Sequence, residues 1–333
     1  MSKSLMGFLA LLAVAVGAHA APLVYEVHAL PAVPVSDDEP NHVTGHAIDD
    51  AGRALISVTT DDYQFWNGEL CRKDKCSRIP PKQQSARWFG LSSSGFMAGQ
   101  ILHGQRSQPA LRNPDGSIRT LAWEGSASAV NKTGVVIGDE GNGRAYYFDT
   151  RLHRLPDLGG GSTAATDIND NGVIVGQSTL TNGKTHAFNF RDGTITDLGA
   201  LEGGSWSSAL AVNAHGVAVG YSNEAGKSHS VAVKFEGGAV VRLGSLGGGT
   251  SYANGINTLA VIVGSAAVSK SSSHAFLHDG TTMIDLNDAI SPQDQAEWYL
   301  YSAEDVNDAG QILVSAQRRS DWKSVPVLLT PKP

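Results

Sequence analysis

The 333-residue sequence predicts an all-β protein, a single seven-bladed β-propeller of four-stranded blades, and three observations carry that expectation. An eleven-residue hairpin pattern recurs seven times. Its copies start 43, 39, 38, 44, 44 and 50 residues apart, a spacing that suits four short strands per repeat. With 38 glycines and short β-branched runs, little of the chain can sustain helical periodicity.

The first element reads as an export signal. Lys3 supplies a positive start, Leu5 to Val16 is apolar, and Ala18-His19-Ala20 is a small-x-small cleavage site, so residues 1–20 are expected to be removed and 21–333 to form the propeller. The h-region is shorter than the about 20 apolar residues of a membrane-spanning helix, and no membrane span is expected in the mature chain. The destination is then the periplasm or the extracellular space. Lys and Arg number 25 against 32 Asp and Glu; without Lys3 the balance is 24 against 32, which argues against nucleic acid as a partner.

The hairpin copies are AIDDAGRALIS from Ala47, GLSSSGFMAGQ from Gly90, AVNKTGVVIGD from Ala129, DINDNGVIVGQ from Asp167, AVNAHGVAVGY from Ala211, GINTLAVIVGS from Gly255 and DVNDAGQILVS from Asp305. In six of the seven, Asn, Asp or Ser is followed three positions later by Gly. That is the chemistry of a tight turn, since the short polar side chain can bond the backbone ahead and Gly accepts positive φ. Repeat six has Ala260 in the glycine position, and a looser hairpin is expected there. A third strand follows, as in THAFNF from Thr185, then a fourth strand and a glycine corner such as DLGGGS from Asp157.

The triplets His186-Ala187-Phe188 and His274-Ala275-Phe276, with the hairpins around them, resemble the HAF family of bacterial extracellular repeat proteins. The resemblance is clearest in repeats four to six and fades in repeats one, two and seven, where Tyr63-Gln64-Phe65, Gln108-Pro109-Ala110 and Val325-Pro326-Val327 replace the triplet. It implies export and repetition and no particular reaction.

Closure follows from the chain ends. The seventh repeat stops at Pro333 one strand short, while the segment Leu23 to Leu30 precedes the first repeat unassigned. Placed in the last blade, it would complete the ring and leave no long unpaired edge. Cys71 and Cys76 lie around a basic turn and can pair in an oxidising compartment. Free thiols and a metal site remain the alternatives, the latter poorly supported without spaced histidines.

Chemical motifs are sparse. Asp167-Ile168-Asn169-Asp170-Asn171-Gly172 matches the first half of a calcium loop, but Ser178 stands where the terminal Glu belongs, so a turn is the better reading. His186, His229 and His274 are read as equivalent positions in three successive blades, too far apart for a shared metal, and are assigned structural hydrogen bonds. The glycine triplets at 159–161 and 247–249 are corners, not phosphate loops. No catalytic residue is assigned, and neither a metal nor a cofactor is expected.

Aromatics carry the functional expectation. Trp206, Tyr252, Trp298 and Tyr299 are placed beside the loops QSTLTNGK, YSNEAGKS and SAAVSKSS, on one face of the ring. Flat rings among Ser, Thr, Asn and Gly suit a sugar or peptide, and the alternative is that they plug gaps between blades. The sequence thus points to a monomeric binding or scaffold module for a carbohydrate or protein partner. A propeller hydrolase or lyase with dispersed carboxylate and His groups, and a structural matrix protein, are the rivals.

Overall fold

The computed structural model describes residues 24–31, 42–59, 66–73, 75–79, 85–104 and 106–332. The signal segment, Leu23 and the triplet Tyr63-Gln64-Phe65 lie outside the described residues. Those described form seven antiparallel four-stranded sheets. The first six blades are built in chain order, a to d from the axis outwards, with first strands His42–Ile48, Ala86–Leu91, Ser126–Val130, Gly159–Ile168, Ser207–Val212 and Ser251–Ile256. Blade seven takes its a, b and c strands from Trp298–Val306, Ile312–Arg318 and Ser324–Pro331, and its outer strand from Tyr25–Ala29. The first strands of successive blades touch around the whole ring, blade seven against blade one included, so they wall the central channel.

The closing strand is held by more than its ladder, which pairs Tyr25 with Pro331 and Ala29 with Val327. Tyr25 N–H donates to the Ala289 carbonyl at 2.8 Å and Leu30 N–H to that of Pro326 at 3.0 Å. Both side chains are buried, and burial pushes the Tyr25 hydroxyl up to about 12.

All seven hairpins close as the turn chemistry predicts. In each, the Asx or Ser side-chain oxygen accepts the backbone N–H four residues ahead, from Asp49 with Arg53 through Asn169 with Val173 to Asn307 with Gln311. Repeat six keeps the same turn, with Ala260 at φ 60°, so the missing glycine is absorbed as local strain rather than looseness.

One device repeats in every blade and was not visible in composition. Each a strand carries a register shift just before the hairpin, so that His46, Phe89, Ser128, Thr166, Leu210, Asn254 and Glu304 are extra residues without a partner on the b strand. Such bulges re-aim a side chain, and here they turn one residue per blade toward the channel. Beside the bulge the b strand carries Gly in blades two to six, because a Cβ at Gly176, for example, would stand 2.0 Å from the Ala164 carbonyl oxygen.

The only α-helix among the described residues, Pro292–Glu297, sits in the corner between blades six and seven and accounts for the 50-residue spacing there. Ser291 caps it by accepting the Asp294 N–H at 3.1 Å, with Pro292 in the first turn. Cys71 and Cys76 form a disulfide between directly paired residues of the outer two strands of blade one.

Candidate functional site

Because the strands alternate in direction, the b–c loops and the corners entering each blade share one face, and the a–b hairpins share the other. On the corner face, the d–a turn into blade six and the b–c loop of that blade enclose an open cavity of about 750 Å³. It is lined by His229, the glycines 247–249, Thr250, and Ser269, Lys270, Ser271, Ser272 and Ser273. The floor is glycine backbone. A Cβ at Gly249 would lie 3.6 Å from the His229 ring, so the missing side chain leaves the imidazole facing open space.

An aromatic ladder leads to this cavity. Trp206 packs edge-to-face on Tyr221 at 5.7 Å, and Tyr221 on Tyr252 of the next blade at 5.2 Å, two residues along the chain from Thr250. All three rings are half-buried. The corner into blade five, which carries Trp206, is held by Asn223, whose carboxamide oxygen accepts both the Ser205 and Trp206 N–H groups at 2.9 and 3.0 Å.

The other two expected aromatics do different work. Trp298 is a core residue, 5 % exposed, among Tyr25, Ile290 and Leu300, and cannot present a ring face to a ligand. Of the two roles open to these aromatics in the sequence, Trp298 takes the packing one, at the point where the chain leaves the short helix. Tyr299 fastens blade seven to blade six: its hydroxyl donates to the Ser273 carbonyl at 2.8 Å and lies 2.6 Å from the Ser272 hydroxyl, and its ring meets His274. Arg319 sits 5.6 Å from the same ring's centroid.

The three histidines are not equivalent. His186 and His274 each bond, through Nδ1, an aspartate on the d strand of their own blade, Asp197 at 3.0 Å and Asp285 at 2.5 Å. In blade five that position is Val231, because Ala187, Ala232 and Ala275 hold the matching register, and His229 stands two residues earlier, on the cavity wall. Aligning on the histidine alone misplaced it by one strand period.

The channel holds the residues that sequence reasoning missed. Asp167 and Asp305 are half-buried in the channel wall, and desolvation there raises both carboxyls, that of Asp305 to about 7. Glu304 is raised for the same reason, and burial lowers the His46 imidazole, bonded to Ser57 at 2.9 Å, to about 4. The signal that would have found them is positional: two and three residues before the hairpin Asx in each repeat. Most of this polarity joins blades. Ser128, Thr166 and Asn254 donate to carbonyls of the next blade at 3.1, 2.8 and 2.9 Å. Among the described residues the only cluster spaced for a metal ion is Glu69 with Cys71 and Cys76, and the disulfide withdraws both sulfurs from it.

No protein-family model matches the sequence, and no curated protein matches it. Among solved structures, the chain is similar to the acylaminoacyl peptidase of Pyrococcus horikoshii, with 10 % identity and a TM-score of 0.56 over 88 % of this chain. This chain spans about half of that one, 52 %. It is also similar to YCF48 bound to D1 peptide, with 10 % identity and a TM-score of 0.52 over 95 % of this chain and 99 % of that one. At such identity the likeness is one of fold: this chain is an all-β, seven-bladed propeller closed by its N-terminal strand.

Proposed function

We propose that this protein is an exported binding module that holds a carbohydrate on its corner face between blades five and six. The observation that carries this reading is the 750 Å³ cavity of hydroxyls, glycine backbone, His229 and Lys270 at the end of the Trp206–Tyr221–Tyr252 ladder. Hydroxyl and amide groups beside flat rings match a sugar's alternation of polar edges and apolar faces. The floor is tied down, with Gly248 N–H donating to the Ala267 carbonyl at 2.8 Å and Gly247 N–H to the Ser245 hydroxyl at 2.9 Å, and a preorganised site loses little entropy on binding. Export and membership of the HAF repeat family belong to the same reading, supported by the signal-like first 20 residues, the disulfide and the repeated triplets.

The hydrolase alternative draws less support. Asp167 and Asp305, which a channel-based hydrolase would use, each have both carboxylate oxygens taken by backbone N–H groups. The test is a glycan array with the mature protein, run in parallel with a peptide library because a peptide is bound by the similar YCF48 fold. Saturable glycan binding that weakens at least tenfold in Trp206→Ala supports the reading; binding of peptides alone, or none from either, rejects it.

A further inference from the structure

The hairpin mouth of the channel carries a ring of backbone amides. In each hairpin the Asx or Ser residue donates its N–H across to its own b strand, as Ser92 does to Phe96 and Asn131 to Val135. Successive N–H groups of a strand alternate sides, so the residue before it directs its N–H away from the blade, into the channel. Seven such amides ring the axis, belonging to Ile48, Leu91, Val130, Ile168, Val212, Ile256 and Val306, and all seven residues line one cavity of about 220 Å³ at the hairpin mouth.

This ring binds carboxylates, and the chain itself demonstrates it twice. Asp167 bridges the amides of its own and the next blade, Oδ1 to Ile168 and Oδ2 to Val212, both at 2.8 Å. Asp305 repeats the arrangement across the closure, Oδ1 to Val306 at 2.8 Å and Oδ2 to Ile48 at 2.9 Å. Blades two and three present the same adjacent pair, Leu91 and Val130, but the residues in the aspartate position are Gly90 and Ala129, which carry no acceptor.

We infer that the Leu91 and Val130 amides form a cradle for the carboxylate of a small zwitterionic ligand of the α-amino acid class. The carboxylate is argued from the two internal copies of the contact. The positive group is argued from the wall: a connecting cavity of about 180 Å³, lined by Leu91 and Val130, also exposes Asp167, Asp305 and Glu304, with the neutral His46 beside them, while Asp50 and Asp308 line the mouth together with Asp49 and Asp170, whose charges are answered by Arg53 and Lys132. A bare anion would be repelled by that wall, whereas an ammonium answers it. Burial has raised the Asp305 carboxyl, as expected of an acid that has lost water and met no cation.

The experiment titrates ¹⁵N-leucine- and ¹⁵N-valine-labelled protein with glycine, and separately with acetate and with methylammonium, following the Leu91 and Val130 amides by NMR. Saturable shifts at both amides with glycine, at least tenfold weaker with acetate, are expected. Ala129→Asp should place a carboxylate on Val130 as Asp167 does on Ile168, and abolish the shifts; Ala211→Asp, aimed at Ile256 instead, should leave them. Glycine that moves neither amide in the wild-type protein, acetate that binds as well as glycine, or an Ala129→Asp protein that still responds would each overturn the inference.

Discussion

The seams between blades fall into two kinds. From blade three round to blade one, each is closed by an asparagine whose side-chain amide donates to the backbone carbonyl of the equivalent residue in the next blade. Asn131, Asn169, Asn213, Asn257 and Asn307 do so at 3.4, 2.8, 3.2, 3.1 and 2.9 Å, the last reaching Asp49 across the closure. Blades one and two have Asp49 and Ser92 there. Both keep the turn-closing acceptor, but neither makes the forward bond. The seam from blade one to blade two is closed by bulk instead: Trp88 replaces the Gly or Ala of the other six blades and packs so closely that a Cβ at Gly68 of blade one would meet its ring at 2.3 Å. Turn formation and blade joining are thus separable jobs of one position, and only asparagine does both.

The largest expected effect breaks the closing seam. Removing residues 24–30 strips the outer strand from blade seven and exposes its core, where Tyr25 and Val327 pack with Trp298, and should prevent cooperative folding or cause association through the bared edge. Sedimentation and thermal melting check this, and a monomer with unchanged melting would contradict it. Next comes Trp88→Ala, which empties the packed seam between blades one and two and should cost about 3 to 5 kcal/mol in denaturant unfolding. Asn213→Asp keeps the turn but sets a carboxylate against the Asn257 carbonyl, a cost of about 1 to 3 kcal/mol. The same change at Ser92 should cost less, because that residue makes no forward bond, and equal losses at the two positions would dissolve the comparison.

The smallest effect is in pH. An acid whose folded pKa is raised holds its proton more tightly when folded, so Asp305 should lower stability as pH rises from about 4 to about 7. His46, lowered to about 4, acts oppositely: its penalty grows as pH falls from about 6.5 to about 4. Replacing His46 with Gln should therefore leave a profile that falls steadily across this window, and Asp305→Asn one that rises, as read from melting temperatures at stepped pH.

How much of this was legible follows from where the information lies. The hairpins were legible because Asx three residues before Gly is a local instruction, and the closing strand because the last repeat is one strand short. The channel ring was not, because a bulge leaves no composition; it appears only when strand registers are set side by side. The choice between ligand face and packing stayed open for Trp298 because corner membership in the sequence does not say which way a ring turns, although Ser291-Pro292 with Asp294 carries the helix signal that displaces it. His229 was misread because a loop of different length slides a histidine past its register without changing the triplet-like pattern.

The most direct test of the binding account fills the cavity and leaves the fold alone. Gly249 has ordinary backbone geometry, and a side chain there would rise beside His229 into open space at normal contact distance. Gly249→Leu should abolish binding of the glycan identified by the array while shifting the melting temperature by no more than a degree or two. Undiminished affinity in that variant, with the fold intact, would show that the ligand sits elsewhere and that the corner face between blades five and six is not the site.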